Sequence, residues 1–352
     1  MISDRVFERG KLKGYMWEIV ILELLKENEF LEILTVDDIR LRRQRNNFLE
    51  MRGRGAWHQI DCCCDYEQFI PFINPIRLLG EVKFHVNPVE KHWVRSFIGV
   101  VKDIQENYFI SDDFSVSTER YTELGVFFSA NGFNKEAERL AFAHNIKTIS
   151  YKNIPILRLL KEQIIKLERK YFSAKNCLGR GNQNDFIRLF KDVLSGNDPA
   201  ISELKRYSSL PNGFEDTVGL LRDGFKKIGS SFIANSSGGA MMHFVGEEAF
   251  PDELFVDVDR QICQVNYDFS ETQNTSPDFY LVFSNDNKNR RFYFSPPVSL
   301  SQAVFFGAKE ALDVKEKIFK TLHTARRLNG ITRSLILELD KDWLEWARTQ
   351  VE

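Results

Sequence analysis

Features that would carry the chain into a membrane are missing from it. No run of about eighteen apolar residues occurs, which excludes a hydrophobic membrane-spanning helix, and the opening "MISDRVFERGKLKG" lacks the apolar core of a secretion signal. Cysteine is scarce: there are five, an odd number, with no CxxC pair. Three are consecutive (Cys62, Cys63, Cys64), and strand neighbours that alternate faces cannot form a paired framework. A disulfide scaffold is excluded, a reducing cytoplasm is the expected location, and the triplet reads as small apolar strand residues. Excess charge is also missing. At a net −2, any nucleic-acid surface has to come from local clustering. There is no Walker loop, no GxGxxG after a strand, and no Ser or Cys nucleophile motif. "NSSGGAMMH" (235–243) contains glycine but no P-loop lysine, and is expected to be a loop.

What is present is the material of a large core. Hydrophobic residues make up 43% of 352, with 30 phenylalanines, enough for two domains of ordinary size. Residues 14–29 predict a mostly buried helix, followed by a short strand and a basic, loop-rich stretch to residue 59. "QIDCCCDY" and "IRLLGEVKFH" predict strands joined by the excursion "EQFIPFINPI", with turn chemistry at Asn74-Pro75. "VNPVEKHWVRSFIGVVKDIQEN" predicts a helix capped by Asn87, with Val94, Phe97, Val101 and Ile104 on one face. "ELGVFFSANGF" predicts a buried strand, Asn134 a cap for "KEAERLAFAHN", and "IKTISY" a last strand. Strands alternating with helices indicate an α/β sandwich with a mixed sheet over residues 1–152.

Residues 153–190 predict a helical connector and hinge. Its apolar positions (Leu157, Leu160, Ile164, Leu167, Tyr171) suit a helix packed on one domain, or else a dimer seam. Residues 191–352 read as α+β, with a helix near 215–228 and several strands between 231 and 297. A long helix near 301–328 should follow, ending at Gly330, with Arg326 and Arg327 favouring its C-terminal dipole. "ITRSLILELD" and a short helix complete the chain.

The stretch "RLLGEVKFH" (77–85) carries the chemistry. Strand side chains alternate, so Glu81 and Lys83 share a face. Burying both is costly unless they pair or serve a ligand. A surface hairpin with a salt bridge and a metal site both satisfy that requirement. Asp61 lies one strand earlier, and a hairpin of suitable register brings it beside Glu81. Two carboxylates and the Val82 carbonyl form a hard, oxygen-rich set suited to Mg²⁺. A lysine beside such an ion can orient or deprotonate a water. Glu18 is the only charge between Tyr15 and Leu22 on a helix that should be buried, so it should face a cation or a donor. A metal and a structural salt bridge both meet that need.

"GRGAWHQIDCCCDY", "LLGEVKFH" and "ELGVFFSANGFNKEAERLAFAHNIKTISY" together resemble the Mrr-like branch of the PD-(D/E)xK restriction-endonuclease superfamily. In that family an Asp after a Gly-rich turn, a Q/E-x-K strand and an "sGFtkeA" helix start recur in this order. The resemblance spans roughly residues 10–151, although no proline precedes the Asp in "HQID". It implies a restriction-endonuclease-like mixed sheet, Asp61 and Glu81 as metal ligands with the Val82 carbonyl, Lys83 as the catalytic lysine, and Glu18 as the first-helix acid. It further implies a Mg²⁺-dependent deoxyribonuclease, with Mn²⁺ as substitute, acting on double-stranded DNA as a prokaryotic defence effector. Its regulator would be the C-terminal domain or a partner protein, and the expected assembly is a homo-oligomer or a complex with a partner protein of a defence system. A non-catalytic nucleic-acid-binding or assembly module on the same fold is the competing expectation.

"IRLRRQRNN" with Arg52 and Arg54 places six arginines before Asp61. Arg42, Arg43, Arg45, Arg52 and Arg54 are candidate phosphate contacts, and Arg40 belongs to the same run. Lys135 joins them at a helix start whose amides can hold a phosphate. His58 and His85 read as structural. Phe69, Ile70, Phe72 and Ile73 can wedge into a duplex or pack against the second domain.

Overall fold

The computed structural model describes residues 11–34, 36, 40–43, 48–66, 68, 72–107, 120–173, 189–196, 214–249, 254–255, 258–269, 277–328 and 331–351. Arg45, Phe69, Ile70, Cys177, Gly330 and most of the expected hinge lie outside them. By contact the chain forms two compact units. The first comprises Met1–Lys147 and Leu159–Lys226, the second Thr148–Arg158 and Lys227–Glu352. Residues from 159 to 226, expected as connector and start of the second domain, therefore group with the first unit.

In the first unit helix α1 (Lys11–Lys26) is followed by strands β1 (Phe30–Glu32), β2 (Leu41–Arg43), β3 (Leu49–Arg52), β4 (Trp57–Gln59), β5 (Cys62–Tyr66) and β6 (Ile76–Lys83). Then come α2 (Lys91–Gln105), β7 (Thr122–Ser129) and α3 (Lys135–Ala143), followed by β8 (Lys147–Ser150) and α4 (Pro155–Ser173), of which Thr148–Arg158 belongs to the second unit. The main sheet runs β1-β5-β6-β7-β8. It is mixed, as expected: β5 pairs antiparallel with β6, and β6 parallel with β7. α2 and α3 cover the face bearing Leu79 and Phe127, with Val94, Phe97, Val101 and Ile104 all in that core. α1 packs on β1, β5 and β6, where Trp17 meets Phe84 edge-on at 5.6 Å.

Three local expectations change. The basic stretch before residue 59 is a three-stranded meander, β2-β3-β4, rather than loop. α2 begins later than its Asn87-Pro88 signal: Glu90 is the N-cap and makes no side-chain cap bond. Val89 bridges to Phe133, holding the approach to the helix extended. Asn134 does cap α3, accepting from the Ala137 amide at 2.8 Å.

The second unit is built on a closed seven-stranded barrel. Its strands are β9 (Ser230–Ser236), β10 (Met241–Gly246), β11 (Arg260–Asp268), β12 (Asp278–Phe283), β13 (Phe292–Phe294), β14 (Thr321–Leu328) and β15 (Ile331–Leu339). The order is β10-β13-β12-β11-β15-β14-β9, with β9 returning to β10. Closure leaves no unpaired edge. Phe232, Phe244, Phe279, Phe283, Phe292 and Phe294 fill one buried core together with Leu322, Leu335 and Leu337. Arg158 on α4 binds Asp278 of β12 at 3.0 Å.

Helix α5 (Phe214–Lys226), in the first unit, matches the helix expected near 215–228. The long helix expected over 301–328 is instead two helices and a strand: α6 (Val298–Phe306), α7 (Ala308–Phe319) and β14. Gly307 is extended between the helices, and Thr321–Leu328 pairs along its length with β15. Arg326 and Arg327 therefore sit on a strand, opposite Arg333 and Thr332, not at a helix end. The pairing that closes the barrel overrides residues of good helical propensity. "NSSGGAMMH" is likewise a β9–β10 hairpin. The last helix, α8 (Lys341–Thr349), is capped by Asp340.

Candidate active site

The antiparallel register of β5 and β6 builds the site. Cys62 lies opposite Gly80, and one further step sets Asp61 across from Glu81. A side chain at Gly80 would meet the Cys62 Cβ at 2.8 Å and its carbonyl at 3.0 Å, so glycine permits the strands to close next to the two acids. Asp61 Oδ2 accepts from the Val82 amide at 3.0 Å. Lys83 Nζ lies 3.6 Å from the same Asp61 oxygen, pairs with Glu81, and donates to the Val82 carbonyl at 3.3 Å. The Trp93 ring from α2 is 5.5 Å from that ammonium. Side-chain exposure is 12% for Asp61, 22% for Glu81 and 18% for Lys83, so the cluster is sheltered yet open to solvent.

Charge in the cluster does not balance. Glu18 on α1 is held well above the ordinary carboxylate range by burial first, then by Asp61 and Glu81, against the pull of Lys83. Glu81 is raised as well, by burial and by Asp61, again against Lys83. Burial pulls the Lys83 amine down, but Asp61 and Glu81 outweigh it and hold the group above its usual value. At neutral pH Lys83 is therefore an ammonium, able to orient and donate but not to take a proton. Three carboxylates share one ammonium, an imbalance that a proton or a further cation relieves. Among the described residues no group of three or more His, Cys, Asp or Glu side chains is arranged to hold a metal ion. A metal would rest on the Asp61 and Glu81 carboxylates and the Val82 carbonyl, a hard donor set that leaves positions for water.

Three of the five described arginines in the run have internal partners. Arg40 is buried and bonds Glu123 at 3.2 Å, which removes it from the phosphate-contact set. Arg42 pairs with Glu50 at 2.7 Å and lies over Trp57 at 4.1 Å, though its side chain remains half exposed. Arg43 donates to the Ile33 and Leu34 carbonyls. Arg52 is exposed, and Arg54 is exposed with Glu106 at 3.6 Å. Folding the run into a meander gives three of its guanidiniums internal partners. Lys135 is exposed at the start of α3, but that first turn carries Glu136 and Glu138 and its Ala137 amide already serves the Asn134 cap. Phe72 is fully exposed and Ile73 partly so.

Breaking the Arg40–Glu123 pair should therefore cost stability rather than affinity. Arg40→Ala is expected to destabilise the first unit by about 3–5 kcal/mol, because the buried ion pair loses its cation, and, if the unit binds DNA, to leave binding by the folded fraction unchanged. Urea unfolding and gel shift check this. A variant of near-native stability that has lost binding would return Arg40 to the phosphate contacts.

His58 is structural: Asp103 on α2 takes its Nε2 at 2.7 Å and also the Gly55 and Ala56 amides, pinning the Gly-rich turn. Cys62–Cys64 are buried and not in disulfides, and burial pushes the Cys62 and Cys64 thiols up, away from reactive thiolate. Two features escape a reading of the sequence. Arg77 clamps Asp65 through Nε and Nη2 (2.7 and 2.9 Å), a pair that the Asp61–Glu81 register also sets opposite. The other is the exposed ring group around Trp93, for which the single tryptophan in "EKHWVRSF" is no signal.

No family model and no curated protein matches this chain. One solved structure does. The crystal structure of the protein of unknown function AF1548 aligns over 60% of this chain and 97% of its own, at 13% identity. Its TM-score of 0.32 is too low to carry an argument about fold or function.

Proposed function

We propose that the first unit is a metal-dependent nuclease of the PD-(D/E)xK type, resembling its Mrr-like branch, and that it hydrolyses DNA phosphodiester bonds. The observation that supports this most is the register that sets Asp61 opposite Glu81, with Lys83 Nζ reaching both carboxylates and the Val82 carbonyl. Mg²⁺ or Mn²⁺ bound at these oxygens would supply Lewis-acid stabilisation of the phosphoryl charge. Asp61 is oriented for this by the Val82 amide, and Lys83 stands ready to donate to a phosphate oxygen or orient the attacking water. Glu18 adds a third carboxyl from α1, one that burial and Asp61 make hold its proton to higher pH than an ordinary carboxylate. In this reading the barrel unit senses, recognises a target or assembles the protein in a defence system, as a homo-oligomer or with a partner protein.

Supercoiled plasmid incubated with Mg²⁺ or Mn²⁺, and with EDTA, tests the activity. Cutting is expected only with metal, and Asp61→Asn should lower it by roughly 10²–10³-fold, the size of a lost transition-state contact. Equal cutting by both proteins would move the site elsewhere. No cutting by either, with gel-shift binding retained, would support the non-catalytic module.

A further inference from the structure

Beside the acid–lysine cluster stands a group of three rings that the proposed chemistry does not use. Trp93, in the first turn of α2, is 38% exposed, although the inner face of that helix (Val94, Phe97, Val101, Ile104) is fully buried. It therefore contributes little to the core. His85, just past the end of β6, lies nearly parallel to it, with ring centroids 5.4 Å apart and an interplanar angle of 29°. His92 tilts against the same indole at 5.0 Å, and holds Glu90 at 3.4 Å. Both histidines are exposed. The indole face also lies over the Lys83 ammonium at 5.5 Å.

Single exposed aromatics are ordinary. Two exposed rings packed on a third, itself joined to the lysine of a candidate phosphodiester site, suit a planar ligand carried next to a phosphate. An uncharged indole gives a phosphate nothing, whereas every nucleobase has a π-face that stacks on it. We propose that the Trp93–His85–His92 ring group is a nucleobase platform, on which one unpaired base of the substrate strand stacks while its neighbouring phosphate lies at Lys83. This rests on the nuclease reading of the Asp61–Glu81–Lys83 site. It narrows the substrate to a strand with at least one unstacked nucleotide: single-stranded DNA, a flap, or a duplex from which a base is drawn out. Bases in an intact duplex show only their edges, so a continuous helix cannot use the platform.

The test is binding in EDTA, where hydrolysis is off. A single-stranded oligonucleotide containing 2-aminopurine, and the same sequence as a blunt duplex, are titrated with the full-length protein, with Trp93→Ala and with Trp93→Phe. Wild type and Trp93→Phe should quench 2-aminopurine on binding the single strand. Trp93→Ala should lose that quench and bind the strand about 5–100-fold more weakly, the range for one lost base stack, with duplex affinity changed less than about twofold. Circular dichroism confirms that the variants fold. Unchanged single-strand affinity and quench in Trp93→Ala overturns the platform, as does an equal loss on both substrates or a wild type that binds no single strand. Because binding is read without metal, such a failure with metal-dependent plasmid cutting intact strikes only the platform. Loss of plasmid cutting with stacking intact strikes only the nuclease.

Discussion

Under the proposed nuclease function, replacing Lys83 with methionine will lower metal-dependent plasmid cutting by about 10²–10⁴-fold, the loss typical when a positioned donor or proton-handling group is removed. Methionine keeps the stem that passes Trp93 and removes only the ammonium. In the structure that ammonium reaches Asp61, Glu81 and the Val82 carbonyl, contacts that methionine cannot make. A second effect has a definite sign. Lys83 lowers both Glu18 and Glu81, so without it these carboxyls hold their protons to higher pH. The acid limb of the residual rate–pH profile should accordingly move upward. Lys83→Arg restores charge but not shape, since a planar fork does not fill the site of a compact ammonium, and it should remain well below wild type. Activity of Lys83→Met within a few-fold of wild type, with an unmoved acid limb, would place the chemistry elsewhere.

Acid will weaken the barrel unit through one buried histidine. His243 on β10 shares a hydrogen bond between its Nδ1 and the Tyr151 hydroxyl (2.9 Å), and its Nε2 has no hydrogen-bond partner among the described residues. Burial pushes its pKa down to about 3. The unfolded chain takes up a proton near 6.5 that the fold refuses until about pH 3, so the histidine's contribution is whole above pH 6.5 and drains away as pH falls. At about 1.4 kcal/mol per pH unit, roughly 4–5 kcal/mol is lost across that window. This is a large part of the stability of an ordinary domain. Urea unfolding at pH 7 and pH 4, followed for wild type and His243→Leu, separates this effect from the carboxylates: the variant should lose distinctly less on acidification. Identical losses for the two proteins would mean that His243 is not held neutral by the fold.

Elements are legible in the sequence where local pattern and tertiary role agree. The Val94–Phe97–Val101–Ile104 stripe on α2, the Asn134 cap and the run of buried strands around Cys62–Cys64 and Leu78–Leu79 depend on spacing of 3.6 or 2, which a chain carries in itself. Asp61, Glu81, Lys83 and Val82 are legible for a related reason: two strands joined by one connection can meet in few registers, and one of these sets the acids opposite each other. Arginines mislead because charge in sequence does not say whether a partner waits across the sheet. Arg40 looks like its neighbours until Glu123, 83 positions later, is folded against it. The 301–328 segment misleads for the same reason, since its strand exists only because β15 and β9 flank it.

Composition and periodicity by themselves determine that this chain builds a mixed α/β unit, needs no disulfides and carries an acid-x-lysine strand one connection after an aspartate. Tertiary structure alone decides that the second unit closes into a phenylalanine-filled barrel, that three arginines of the basic run find partners within the fold, and that Trp93 leans over Lys83. Those outcomes depend on partners far apart in the chain, whose pairing energy exceeds any local preference, and no local window of sequence contains both members of such a pair.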